Sequence, residues 1–432
     1  MSAQTDDLVE QPESPPGTPV DSGGSLSDYF RNYVARFKGG ELGSVPALVG
    51  LIVITGFFAI VHQGFLKPYN IEALVFQAAA VIIMAMGLIF VLLLGEIDLS
   101  AGSTGGLCAA IMAVLLLRHG WNEWLAMLAG LVMGVIIGFL MGWLRAKIGI
   151  PSFVITLATF LGFQGVTLIL IGGEGSVTLP GDSNILKIEN SFLPIWAGWT
   201  LLGVIALGYA AIKLNDAANR RRAGLVPVPL SVIAVKVLAL VVFGGLFVYI
   251  MGQNRILNNN TSKFFPSAKS EGMPWSVLII AILFVFWNFV LSRTRYGRHV
   301  YAVGGNVEAA QRAGIVVSRV RISVFVICSG MAAVSGIVAA SQLSSVQSNA
   351  GAGNTLLLAV GAAVIGGTSL FGGRGRMIDA ILGGLVVTVI TNGMSNLING
   401  ANAAGWQEIV TGGVLLLAAG FDAVVRSRSR AR

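Results

Sequence analysis

Between positions 44 and 425 the chain returns repeatedly to long apolar stretches nearly free of charge, and that recurrence leaves few folds open. A helix crossing a hydrocarbon core roughly 30 Å thick needs about 20 apolar residues, and it satisfies its backbone polar groups internally. Twelve such stretches fall at 44–62, 73–94, 100–117, 123–144, 152–171, 195–212, 230–251, 275–292, 322–340, 355–367, 377–398 and 408–425. The tenth is short and glycine-rich and reads as a half-helix or re-entrant segment. Charged residues make up only 11% of the chain, against roughly a quarter in soluble domains. The expected fold is all-α, a polytopic transmembrane helical bundle of about 10–12 spans.

The basic residues give an orientation. With all twelve stretches crossing and a cytoplasmic amino terminus, 21 of the 28 Lys and Arg residues fall on the cytoplasmic side. Six (Lys67, Arg118, Lys187, Arg255, Lys263 and Lys269) fall outside, and Lys236 lies within a span, where it can snorkel. Both termini therefore read as cytoplasmic. The net charge of +8 serves this asymmetry, and with no basic groove interleaved with aromatics no nucleic-acid partner is expected.

The ends differ from the middle. Residues 1–30 hold six acids, four prolines and no Lys or Arg, a composition that reads as a disordered acidic tail. They also lack the basic start and apolar centre of a cleavable signal peptide. Tyr29, Phe30, Tyr33 and Phe37, spaced helically among Arg31, Arg36 and Lys38, lead into the first span and read as an interfacial helix at 31–43. The transmembrane domain then occupies 44–425, with a basic tail at 426–432.

Nothing in the chain points to catalysis. His62, His119 and His299 are scattered, Cys108 and Cys328 lie in apolar runs, and no set has metal-ligand spacing. There is no G-x-x-x-x-G-K-[ST], so any ATP-driven step needs a separate subunit and no cofactor is expected.

Two apolar segments break in the same way. The stretch 87–103 reads GLIFVLLLGEIDLSAGS, and 361–373 reads GAAVIGGTSLFGG: each is a helix, a glycine and a polar turn. This suggests corresponding points of an internal duplication. Asp98, Ser100, Ser103, Thr368 and Ser369 are expected beside a translocation pathway, because an interrupted helix frees backbone groups that a hydrated cavity can satisfy and lipid cannot. Asp98 or Ser100 equally suits an N-cap. Of the polar residues inside spans, Gln77, Gln164, Asn288, Asn392 and Asn396, the last two share one helical face and form the best pair to line the translocation pathway. Gly130, Gly134, Gly138 and Gly142 form a four-residue stripe suited to close helix packing.

The segment 293–321, RTRYGRHVYAVGGNVEAAQRAGIVVSRVR, carries six arginines between two apolar stretches. That is far more than a turn requires, and it reads as a cytoplasmic docking surface. Together with GEIDLSAGS (95–103) and AVGAAVIGGTSLFGG (359–373), in this order, it resembles the permease subunits of monosaccharide ATP-binding-cassette importers, the ribose/xylose/galactose group. The resemblance covers roughly 45–425, and the insertion around KLNDAANRRRAGLVPVP and the ending NGMSNL…WQEIVTGGVLLLA are most similar to the xylose members.

Several expectations follow from that resemblance. It implies a transport subunit without a nucleotide site, in a bacterial inner membrane, working with an ATPase subunit, a periplasmic sugar-binding protein and a second permease copy. It implies that 293–321 is the ATPase-coupling loop. There Arg298, Tyr301, Asn306 and Glu308 lie near a turn made by Gly304 and Gly305, and Ala309, Ala310, Ala313 and Gly314 form a small face that seats in the ATPase. The family pattern has glycine in place of Glu96, which leaves Asp98 as the stronger candidate acid. An ion-coupled secondary transporter, or a permease for another sugar or for branched-chain amino acids, stays as the alternative.

Overall fold

Proline and glycine divide the apolar sequence into helices. The computed structural model describes residues 44–225, 227–253, 271–398, 405–406, 408–413 and 416. Pro46, Pro68, Pro151, Pro194, Pro229 and Pro274 stand at or just before helix starts, where a missing N–H costs nothing. Gly149 (φ 85°) and Gly172 (φ 78°) end two of the helices, in a region open to glycine. The helices are α1 (Val45–Val61), α2 (Pro68–Leu93), α3 (Ala101–Leu117), α4 (Glu123–Trp143), α5 (Ser152–Ile171), α6 (Lys187–Asn190), α7 (Ile195–Arg222), α8 (Leu230–Met251), α9 (Trp275–Arg293), α10 (Arg295–Gly305), α11 (Val307–Arg312), α12 (Val317–Leu343), α13 (Asn354–Gly366) and α14 (Met377–Leu397). Among the described residues, eight helical stretches are long and apolar enough to cross a membrane.

The first eleven expected spans all appear, with two informative differences at their edges. The helix α7 continues to Arg222 rather than ending near 212, because its polar end is rich in helix formers and pairs Lys213 with Asp216. The helix α12 begins at Val317 and absorbs the end of the basic segment. The helix α13 has 13 residues, roughly 20 Å at 1.5 Å per residue, and is the half-length element expected at the tenth position. The twelfth stretch is described only in part, and the acidic tail, the interfacial helix and the basic tail lie outside the described residues.

Leu202–Gly244 belongs to a separate compact unit, within which Gly244 approaches the Leu202 side chain. The larger unit is a bundle centred on α2, 83% of whose most apolar stretch is buried. In α9 only 11% of the most apolar stretch is buried within the chain, although Trp287 packs on Phe90 of α2. Glycines let the inner helices touch. Gly134, Gly138 and Gly142 of α4 lie against Ser329, Phe325 and Ile322 of α12, and a Cβ at Gly138 would collide with the Phe325 carbonyl. Gly130 meets α3 at Cys108 instead. The small face at this contact is the whole width of the gap. A short antiparallel ladder, Ser176–Thr178 with Ser345–Gln347, ties the loops after α5 and α12 together.

Candidate coupling and translocation site

The two broken segments meet. After α2 the chain turns at Gly95 (φ 70°), and after α13 it turns through Gly367, Gly372 and Gly373, all at positive φ. Gly373 N–H donates to the Leu93 carbonyl (2.8 Å). A Cβ on Gly372 would lie 2.9 Å from the Gly95 nitrogen and 3.0 Å from the Gly304 carbonyl. One on Gly304 would strike the Leu93 carbonyl. Gly304, in the last turn of α10, is thus wedged between both turns, and Tyr301 Oη donates to the Gly375 carbonyl (2.7 Å). Backbone contact at this distance makes the basic segment and the two turns one mechanical unit.

The expected turn at Gly304 and Gly305 is corrected here. Neither glycine has a positive φ. The break between α10 and α11 is made by extended Asn306, whose Oδ1 caps α11 by accepting from Ala309 N–H (2.9 Å). Gly304 is required for proximity, not for conformation. The small face is also divided. Ala310 is buried against the chain's own core, while Ala309, Ala313 and Gly314 are exposed beside Glu308 and Arg312. Arg298 is exposed as well. A groove of about 400 Å³ runs beside α11, lined by Gln311, Ile315, Ser318 and Arg321 among others.

Glu96, the acid set aside on sequence grounds, has the strongest ionic partners in the region. Arg145 Nε reaches both its oxygens (2.8 and 2.9 Å), and Arg321 Nε lies 3.4 Å away. Arg145 comes from a π-helical turn, Leu144–Ile148, that continues α4. The first turn is therefore bound to α4 and α12 by charge. Nothing in the sequence signalled this cluster, since the three positions are remote from one another along the chain.

Asp98 is buried and acts as the start of α3: its Oδ1 accepts from Ser100 N–H (2.8 Å) and Ser100 Oγ (2.7 Å). Ser103 Oγ donates back to the Ser100 carbonyl (3.0 Å). On the other turn, Thr368 Oγ1 donates to Asp379 Oδ2 (3.1 Å), which also accepts from Arg376 N–H, while Ser44 Oγ donates to Asp379 Oδ1. Ser369 Oγ accepts from Phe371 N–H (3.1 Å). The turns touch through glycines, and their polar side chains form two separate networks. Asn396 Nδ2 donates to Asn392 Oδ1 (3.0 Å) and to Asn70 Oδ1 (3.1 Å). This pair is thus a helix–helix clamp between α14 and α2, and Asn70 is a member that sequence reading missed.

With this arrangement in view, comparison with known proteins is decisive. The family model for the branched-chain amino acid transport system, permease component, matches residues 70–419. The chain belongs to this permease family. Among individual relatives, the xylose transport system permease protein XylH of Escherichia coli (strain K12) is 34% identical over 387 residues, 88% of this chain and 92% of that protein. XylH of Haemophilus influenzae is 32% identical over 90% of this chain and 98% of its own length. The autoinducer 2 import system permease protein LsrC of Salmonella typhi is 29% identical over 88% and 85%. No solved structure matches the chain at a significant level. As a permease of ATP-driven importers it is a multi-pass inner-membrane protein whose family works with ATPase and substrate-binding partners.

Proposed function

We propose that the chain is the membrane subunit of an importer that carries D-xylose inward, driven by a separate ATPase and supplied by a periplasmic sugar-binding protein. Two permease copies form the transmembrane pore, with both termini in the cytoplasm, so that α10 and α11 face the ATPase. The xylose assignment is drawn from the XylH relatives, which align over nearly their full length.

The observation that carries the mechanism is the wedge of Gly304 between Leu93 and Gly372–Gly373. A displacement of α11 by the ATPase passes through α10 to the turns after α2 and α13. Those turns begin α3 and precede α14, so moving them reorients the helices that border a pathway past Asp98, Ser100, Ser103, Thr368 and Ser369. In this conformation all five residues are buried, Asp98 Oδ1, Ser100 and Ser103 bonded within the first turn, Thr368 to Asp379 and Ser369 to the Phe371 N–H. An ion-coupled carrier is less well supported, because Glu96 is paired with arginines and Asp98 and Asp379 are tied to helix starts.

The test is co-reconstitution in proteoliposomes with the ATPase and binding protein encoded beside it. ATP-dependent D-xylose uptake is the expected result, and absence of uptake with all three components active rejects the assignment. Ala309→Arg or Ala313→Arg should abolish substrate-stimulated ATPase activity while leaving the permease folded. Ala310→Arg should instead prevent folding, since that side chain is buried within the permease.

A further inference from the structure

Away from the basic end, a cavity of about 310 Å³ opens among α2, α12, α13 and α14. Gln77 stands sixteen residues before Leu93 on α2, roughly 24 Å along the helix from the Gly304 wedge. Gln342 is next to the far end of α12, and Thr388, Thr391 and Ser395 lie toward the far end of α14. Leu358 and Val387 complete an apolar wall. The volume is at the lower end of the range for small-molecule sites, roughly 300–1,000 Å³.

Its chemistry is selective. Gln77 and Gln342 are half-buried, and neither carboxamide is hydrogen-bonded to another described residue. Both carboxamides stay open to the cavity, so their donors and acceptors are available to bond a solute that enters it. The Thr391 hydroxyl donates to the Thr388 carbonyl (3.1 Å), which leaves its oxygen able to accept. The lining thus offers donors and acceptors in mixed order, and none of the lining residues is charged. A hydroxyl group, itself both donor and acceptor, matches such a surface. A free carboxylate or ammonium would enter without a counter-charge.

We infer that this cavity is a binding site within the membrane for a neutral polyhydroxylated solute, whose hydroxyls are held by Gln77 and Gln342. It rests on the importer reading above and extends it: the permease itself reads the solute after the binding protein releases it. Few bonds of ordinary strength keep the site weak, so that the solute moves on when the wedge shifts the turns.

The experiment uses the reconstituted importer and D-xylose. The double variant Gln77→Leu/Gln342→Leu, which keeps volume and removes the amides, should lower uptake at saturating binding protein roughly tenfold or more. Basal ATPase activity and thermal stability should stay within about twofold and a few degrees of wild type. Gln77→Cys, in a background with Cys108 and Cys328 replaced, should react with a hydrophilic thiol reagent and be protected by D-xylose. Wild-type uptake in the double variant, or labelling unaffected by sugar, overturns the site while leaving the importer intact. Wild-type vesicles that import leucine and no sugar overturn the underlying reading instead.

Discussion

At Glu96 one carboxylate holds two guanidinium groups from separate helices. Its side chain is 9% exposed and those of Arg145 and Arg321 are 21% and 23% exposed, so water screens the cluster only in part. Removing the charge leaves two partly buried cations facing each other. Glu96→Gln should cost about 1.5–3 kcal/mol, the scale of a hydrogen bond to a charged group, read as a lower melting temperature in detergent. An unchanged melting temperature would show that the triad is not a structural tie. Glu189, in the loop helix α6, makes a different case. It is buried, its Oε2 accepts from Ser276 Oγ (2.8 Å), and its Oε1 has no partner among the described residues. Burial pushes its carboxyl from 4.5 up to about 8. An acid with a raised folded pKa holds its proton in the folded state and releases it on unfolding. Its contribution therefore falls as pH rises from about 4.5 to about 8 and is level above that. Stability measured against pH should decline across this window in the wild type and be flatter in Glu189→Gln. Parallel curves for the two proteins would contradict the account.

Among elements, the informative contact is between α10 and the two glycine turns. Gly304→Ala adds only one methyl group, yet there is no room for it beside the Leu93 carbonyl. Backbone rather than a flexible side chain blocks the space, so the turns must separate. Overpacking of this kind costs about 1–3 kcal/mol. The expected phenotype is a folded permease whose ATPase partner still hydrolyses ATP while uptake is lost, because the wedge no longer transmits. Gly305→Ala is the control: a Cβ there meets nothing within 4 Å, and that variant should transport normally. Loss of coupling in both, or in neither, would remove Gly304 from its role. The stripe on α4 behaves as packing in this structure, since its glycines abut α3 and α12 rather than a cavity.

For the whole molecule, the polar turns sit at one end and the amide-lined cavity lies away from them. A pathway joining them must open and close in sequence. Thr368 is 2% exposed and Ser103 is fully buried, so neither can meet an aqueous reagent in this conformation. Thr368→Cys, with the two native cysteines replaced, should remain unlabelled in the isolated permease and react during turnover with ATPase, binding protein and ATP. Equal labelling with and without ATP would place Thr368 outside the moving region.

The sequence determined the class of fold and most of its elements, because the apolar length needed to cross a bilayer, the prolines that start helices and the glycines that end them are local properties. Eleven expected spans at 44–398 appear within a few residues, apart from the extended ends of α7 and α12. It also marked the basic segment and the two GEIDLS- and GGTSLFGG-type turns. Sequence could not show that Gly304 lies between those turns, that Glu96 gathers Arg145 and Arg321, or that Asn392 and Asn396 clamp onto Asn70. Nor could it separate buried Ala310 from exposed Ala309, or bring Gln77 to Gln342. Each of those facts joins residues from separate helices, and in a bundle of uniformly apolar helices no period in the sequence says which face meets which neighbour. Close approach of backbones decided it, through glycines whose missing side chains carry no pattern of their own.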